Sequence, residues 1–141
     1  MDFKTTGTKK NDVWLVDGSP DFAIFPANII SEIEADIPIW LKVGDKYFGE
    51  THIRTKHGHW VNMNKKTVPE LVHFKLGQSG SIYCAETNSK LKISLSITPA
   101  ALLVLELITS NIEPHLSVTT LYAHPNRQPD GQRLGRYRGR N

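Results

Sequence analysis

The sequence predicts an α+β fold in which N-terminal helices pack on a four-stranded antiparallel sheet, followed by a basic C-terminal tail. Three observations predict it. Apolar residues recur at helical spacing in the first half of the chain. Four segments rich in Ile, Val, Leu, Thr and Tyr follow one another in the second half, with short connections between them. From Ala123 to Asn141 there is no apolar period, and five of the six arginines lie there.

Taken in order, residues 1–11 are polar and read as a flexible leader. One α+β domain is expected over 12–125, and an Arg-rich tail over 126–141. Val13 to Val16 is a strand candidate closed by the turn residues Asp17-Gly18-Ser19-Pro20. Phe22 to Phe25 is another, stopped by Pro26. Apolar residues at 29, 30, 33 and 37, with acids at 32, 34 and 36, give Asn28 to Ile37 the spacing of an amphipathic helix. Pro38 ends it. Pro38 to Val43 is expected as an extended connection and Gly44-Asp45 as a turn. At least Thr51 to His57 is expected to be helical, with Gly58 as a candidate C-terminal stop. Thr67 to Leu76 is a further helix. Thr67 is its N-cap, Pro69 is tolerated in the first turn, Glu70 completes a capping box and Gly77 closes it. Ser81 to Glu86, Lys90 to Thr98, Leu102 to Thr109 and Leu116 to Tyr122 are the four strands of a meander. Asn88-Ser89, Thr98-Pro99 and Ser110-Asn111 punctuate them. Leu91, Ile93, Leu95 and Ile97 alternate with Lys92, Ser94 and Ser96, the pattern of a strand buried on one face.

Composition narrows the function classes. With 141 residues, 39% hydrophobic and 22% charged, the chain is an ordinary globular one with room for a single core. The longest apolar run, Ala100 to Leu105, is far short of the roughly 18 residues a bilayer span needs. The polar start has no apolar signal region. No signal peptide, no transmembrane segment and no membrane partner are therefore expected, and the place of action is the cytoplasm of a producing or target cell. Cys84 is the only cysteine, which excludes an intramolecular disulfide and a cysteine-based zinc cage. Residues 1–50 hold five Lys/Arg against nine Asp/Glu, whereas 51–141 hold twelve against five. A basic half suits a polyanion, and a solvated basic tail is the plain alternative.

Glu50 to Trp60 is the densest stretch in chemical groups, with His52, Arg54, Lys56, His57 and His59. On a regular helix His52 shares a side with Lys56, while Ile53, His57 and Trp60 form a different stripe. A packed inner-face histidine and an exposed one are then the structural alternatives for His57 and His52. An imidazole beside two cations moves protons near neutral pH and stabilises a developing phosphate dianion. A metal site needs three or four ligands. His57-x-His59 is not a helical pair, Glu50 is the only nearby acid, and neither His-Glu-x-x-His nor Cys-x-x-Cys occurs, so neither a metal nor another cofactor is expected. No Gly-x-Ser-x-Gly elbow, Walker A loop or Gly-x-Gly-x-x-Gly is present. On the last strand, alternation puts Val118, Thr120 and Tyr122 on one face, and Ser117, Thr119 and Leu121 on the other. Two hydroxyls on one face can bind a phosphate, although Thr and Tyr are also favoured in any strand.

The order of these parts resembles the phage- and toxin-associated nucleases of the barnase–EndoU–colicin E5/D–RelE (BECR) group. The residues that carry the resemblance are His52-Ile53-Arg54-Thr55-Lys56-His57, Val68-Pro69-Glu70-Leu71, Gly80-Ser81-Ile82-Tyr83, the strands around Ile93 and Val104, and Ser117-Val118-Thr119-Thr120-Leu121-Tyr122. It covers about residues 45 to 125. The resemblance implies a metal-independent endoribonuclease, a toxin or effector, that cleaves RNA such as tRNA or rRNA by 2′-hydroxyl transesterification to a 2′,3′-cyclic phosphate. It implies His52 as base or acid with His57 as partner, Tyr122 or His59 being the substitute because helical arithmetic separates the two. Lys56 and Arg54 would stabilise charge, and Thr120 and Tyr122 would hold the phosphate. Arg136, Arg138 and Arg140 would add phosphate affinity. A toxin also implies a cognate immunity or antitoxin protein. The alternative is a non-catalytic nucleic-acid-binding or phage structural protein, with the basic half and its aromatics as the binding face.

Overall fold

The chain runs β1 (Phe3–Thr5), β2 (Trp14–Val16), β3 (Ala23–Phe25), β4 (Ile37–Trp40), α1 (Gly49–Met63), α2 (Val68–Leu76), β5 (Gly80–Thr87), β6 (Lys90–Ile97), β7 (Ala101–Ile108), β8 (His115–Ala123) and β9 (Gln132–Tyr137). This is a computed structural model, and it describes residues 1–87, 90–97, 101–109, 113–123 and 129–140. The expected turns Asn88-Ser89, Thr98-Pro99 and Ser110-Asn111 lie outside the described residues. β1 and β2 form a two-stranded ribbon. The other seven strands form one sheet in the order β3-β4-β8-β7-β6-β5-β9.

The expected architecture is corrected in four places. The helices are not N-terminal: among the described residues four strands, β1–β4, come before α1 and α2, which precede only β5–β9. Asn28 to Ile37 is a string of turns rather than a helix. Asn28 takes a positive φ of 68°, its N–H donates to Ile33 O at 2.8 Å, and Ala27 N–H donates to Asp36 Oδ1 at 2.9 Å. Ile30 and Ile33 are buried by this folded loop, so their apolar spacing records burial without a helix. The sheet has seven strands, not four, and is mixed. β4 pairs in parallel with β8 through Ile39↔Leu116 and Trp40↔Ser117, where only an extended connection was expected. Finally, the leader and the tail both contribute strands. β1 pairs with β2, and Gln132–Tyr137 pairs with β5 as an edge strand. Tyr137 is fully buried and donates its hydroxyl proton to Leu76 O. Burial pushes its pKa up to about 12.

The meander itself forms as the alternation predicts, with β5, β6, β7 and β8 paired antiparallel in succession. The helix α2 carries the expected capping box: Glu70 N–H donates to Thr67 Oγ1 at 3.4 Å and Thr67 N–H to Glu70 Oε1 at 2.7 Å. The Thr67 N–H first, and then the Thr67 side chain, hold the Glu70 carboxyl below its ordinary pKa.

Register separates the sheet into two faces, because residues directly opposite on neighbouring strands point the same way. The row Ile82–Leu95–Leu103–Leu121 is fully buried at every position. Cys84–Ile93–Leu105–Val118 runs beside it. Ile53 and Val61 of α1 and Leu71, Val72 and Leu76 of α2 join the same core cluster. Each such Leu or Ile contributes about 1.5–3 kcal/mol on burial. The opposite face carries the rows Tyr83–Ser94–Val104–Thr120 and Ser81–Ser96–Leu102–Tyr122, and is the more polar one, with Val104 and Leu102 as its buried apolar members.

A bulge on β8 sets which residues reach that polar face. Val104 pairs with Thr120 but Leu105 pairs with Val118, which leaves Thr119 as the extra residue. The simple alternation of Val118 with Thr120 and Tyr122 therefore fails. Val118 turns to the core, while Ser117, Thr120 and Tyr122 share the polar face.

Candidate functional site

The helix α1 starts against the strand residues that precede it. Glu50 N–H donates to Lys42 O at 3.0 Å and Thr51 N–H to Val43 O at 3.0 Å, so backbone carbonyls occupy its first free donors. Gly49 permits the close approach. Its φ is 77°, and a Cβ there would stand 2.7 Å from Lys42 O. From that anchor α1 runs along β8.

The helix is not regular. His57 has φ −127° and ψ 17°, outside the helical region, and α1 kinks there and resumes. Gly58 therefore lies inside the element rather than at its end. On an unbroken helix five residues would leave His52 and His57 about 140° apart. The kink removes that separation: their ring centroids are 6.0 Å apart, with planes at 81°. His57 in turn stacks on Tyr122, with centroids at 5.3 Å and planes at 26°. Helical arithmetic had separated His52 from His57. The structure groups both with Tyr122, while His59 is exposed and has no ring contact with them.

The two imidazoles differ in environment. His52 Nδ1 lies 2.8 Å from Lys46 O. A carbonyl only accepts, so Nδ1 carries the proton and Nε2 is the nitrogen left to exchange one. His57 is half-buried, and burial, then His52 and Lys56, lower its pKa. The lowering leaves His57 as the member of the pair suited to take a proton from a substrate.

The other expected residues divide. Thr120 lies on the face of Tyr122, and its Oγ1 is buried without a hydrogen-bond partner. Lys56 is exposed beside His57. Arg54 is drawn to Glu50, with Nε 2.8 Å from Oε2. Arg136 pairs with Ser81 and so faces the polar side, but on the edge strand four strand steps from β8. With Arg138 it borders a cleft of about 440 Å³ shared with Ile24, Pro26 and Asp36. Arg140 serves the fold: Nη1 donates to Phe22 O at 2.8 Å and Nη2 donates to His73 O. The structure thus brings His52, His57, Lys56, Thr120 and Tyr122 into one region, and leaves the three arginines apart from it. Among the described residues no three His, Cys, Asp or Glu side chains gather as metal ligands, and no helix is long and apolar enough to cross a membrane.

Sequence reasoning missed several residues on the same face. Trp40 pairs with Ser117, Glu106 also pairs with Ser117, and His115 pairs with Ile108. Lys42 is 8% exposed, and burial lowers its pKa while Glu106 opposes the fall. Two signals were present. Lys42 stands between Leu41 and Val43, and Glu106 is the single charge within the apolar run of β7.

Comparison with family models, with curated proteins and with solved structures finds no match to this chain.

Proposed function

We propose that the chain is an endoribonuclease that cleaves RNA without a metal, by transesterification at the cluster of His52, His57 and Tyr122. One observation carries this reading: a kink placed at His57 itself turns that ring onto Tyr122 and beside His52. His57, with its lowered pKa, is the base that takes the proton of the RNA 2′-hydroxyl. The 2′-oxygen bonds to phosphorus, and the bond from phosphorus to the 5′-oxygen breaks. His52 gives the leaving oxygen its proton through Nε2. Products are a 2′,3′-cyclic phosphate and a 5′-hydroxyl. Lys56 and Arg54 offset charge on the phosphorane, while the Thr120 and Tyr122 hydroxyls hold its oxygens. Such an activity endangers the cell that makes it, so a neutralising protein partner belongs to the same reading.

The test is incubation of wild type, His52→Ala and His57→Ala with total tRNA and rRNA in EDTA, followed by end-group analysis. Cleavage by wild type with cyclic-phosphate ends, reduced about 10²–10⁴-fold in either variant, is the expected result. Equal cleavage by all three removes the two histidines from the chemistry. Intact RNA that is nevertheless bound by folded wild type makes the chain a binding module.

A further inference from the structure

Toward the start of β8, away from Tyr122, lies a second cluster on the polar face that the acid–base chemistry does not use. Trp40 and His115 stack, with ring centroids 4.1 Å apart and planes at 16°. Both rings are held in place. Trp40 Nε1 donates to Asp21 Oδ1 at 2.8 Å, and His115 Nδ1 donates to Glu113 O at 2.9 Å. His115 is buried beneath the stack, whereas Trp40 is only half-buried. Two residues beyond Trp40 stands Lys42. Lys42 is mostly buried, its ammonium makes no hydrogen bond or ion pair with a described residue, and the opposite charge that acts on it is Glu106 on β7. A fixed aromatic plane near a cation that no hydrogen bond or ion pair ties down is a combination that binds a base and its phosphate in single-stranded nucleic acid.

The position of the cluster relates it to the acid–base site. Trp40 pairs with Ser117, which is five residues before Tyr122 on the same strand and face. At roughly 3.3 Å per residue, less for the bulge, the two lie about 15 Å apart along β8. That is within reach of a short run of nucleotides. Thr120, with its unpartnered hydroxyl, lies between them.

We infer that Trp40 and Lys42 form a second nucleotide subsite, in which a base of single-stranded RNA stacks on the exposed part of Trp40 and its phosphate lies against the Lys42 ammonium. His115 is a positioning residue that backs the Trp40 ring. The inference rests on the ribonuclease reading for the identity of the ligand as RNA.

The probe is a short fluorescein-labelled 2′-O-methyl oligoribonucleotide of mixed sequence, which transesterification cannot cleave. Its affinity is read by anisotropy at several salt concentrations for wild type, Lys42→Met, Trp40→Leu and Trp40→Phe, with thermal unfolding of each as the fold control. Lys42→Met is expected to weaken binding about five- to tenfold and to lower the salt slope by about 0.7. Trp40→Leu is expected to weaken it about tenfold, while Trp40→Phe keeps most of the affinity. Cleavage of total RNA by the same preparations separates the two readings. Wild type that cleaves, with all variants binding the probe as it does, overturns the subsite and leaves the ribonuclease. Wild type that binds through Lys42 and Trp40 but cleaves no RNA upholds the subsite and overturns catalysis. Wild type that does neither overturns both.

Discussion

The two faces of the meander are built from the same strands and filled in opposite ways. On one face, Ile82, Leu95, Leu103 and Leu121 meet the helices with nothing exposed. On the other, Ser94 and Thr120 bury hydroxyl oxygens that find no partner, and His115 does the same with Nε2. Native proteins partner most buried polar groups, and leaving one unpartnered costs about 1–3 kcal/mol. The apolar face therefore stabilises the fold, and the polar face spends part of that stability on groups whose use lies in binding or chemistry. The chemical groups follow this division: His57 reaches the sheet at Tyr122, and Trp40 stacks on His115, both on the polar face.

Substitutions that separate the faces sharpen the comparison. The largest effect belongs to the core. Leu103→Ala should lose about 2–5 kcal/mol in chemical denaturation, as a fully buried leucine truncated to a cavity does. A loss below about 1 kcal/mol would mean that this face is not closely packed. On the polar face the sign reverses. Ser94→Ala removes a fully buried hydroxyl with no partner and should leave stability unchanged or raise it by up to about 1 kcal/mol. A clear loss in the same denaturation experiment would show that the hydroxyl is partnered after all.

The smallest effect is on pH dependence. Burial lowers the pKa of His57, His73 and His115 from the ordinary value of 6.5. Each binds a proton more weakly folded than unfolded. Their contribution to stability is whole above about pH 6.5 and is lost as pH falls through the lower folded values. The melting temperature should be flat from about pH 7.5 to about pH 6.5 and decline below it, before Glu70 begins to titrate. His115→Asn should reduce that decline, and an unchanged slope would remove His115 from the cause.

Local features of the sequence carried part of this architecture. Alternation at Leu91, Ile93, Leu95 and Ile97 was enough to place β6, since period two has no other regular solution. The capping box of Thr67 and Glu70 marked α2 because its bonds are made within three residues. Segments whose partners are distant misled. The apolar residues of 29–37 fit a helix, but a positive φ at Asn28 and bonds back across the loop fold them into turns. β9 has no apolar alternation to read. It is a strand because β5 offers an open edge and because Tyr137 reaches a buried carbonyl on α2.

The candidate site shows the same division. Residue types and spacing alone singled out His52, Lys56, His57, Thr120 and Tyr122, because imidazoles, cations and hydroxyls are chemical facts of the chain. Local pattern likewise determined the four strands of the meander and the second helix, where every determining contact is near in sequence. Which side chains meet was decided by tertiary structure. The kink at His57 brought two histidines together against regular helical geometry, the bulge at Thr119 exchanged the faces of Val118 and Ser117, and the parallel pairing of β4 with β8 brought Trp40 to His115. In each case the cause is a small backbone departure or a pairing across many residues, stabilised by contacts that exist only once the sheet and helices have packed.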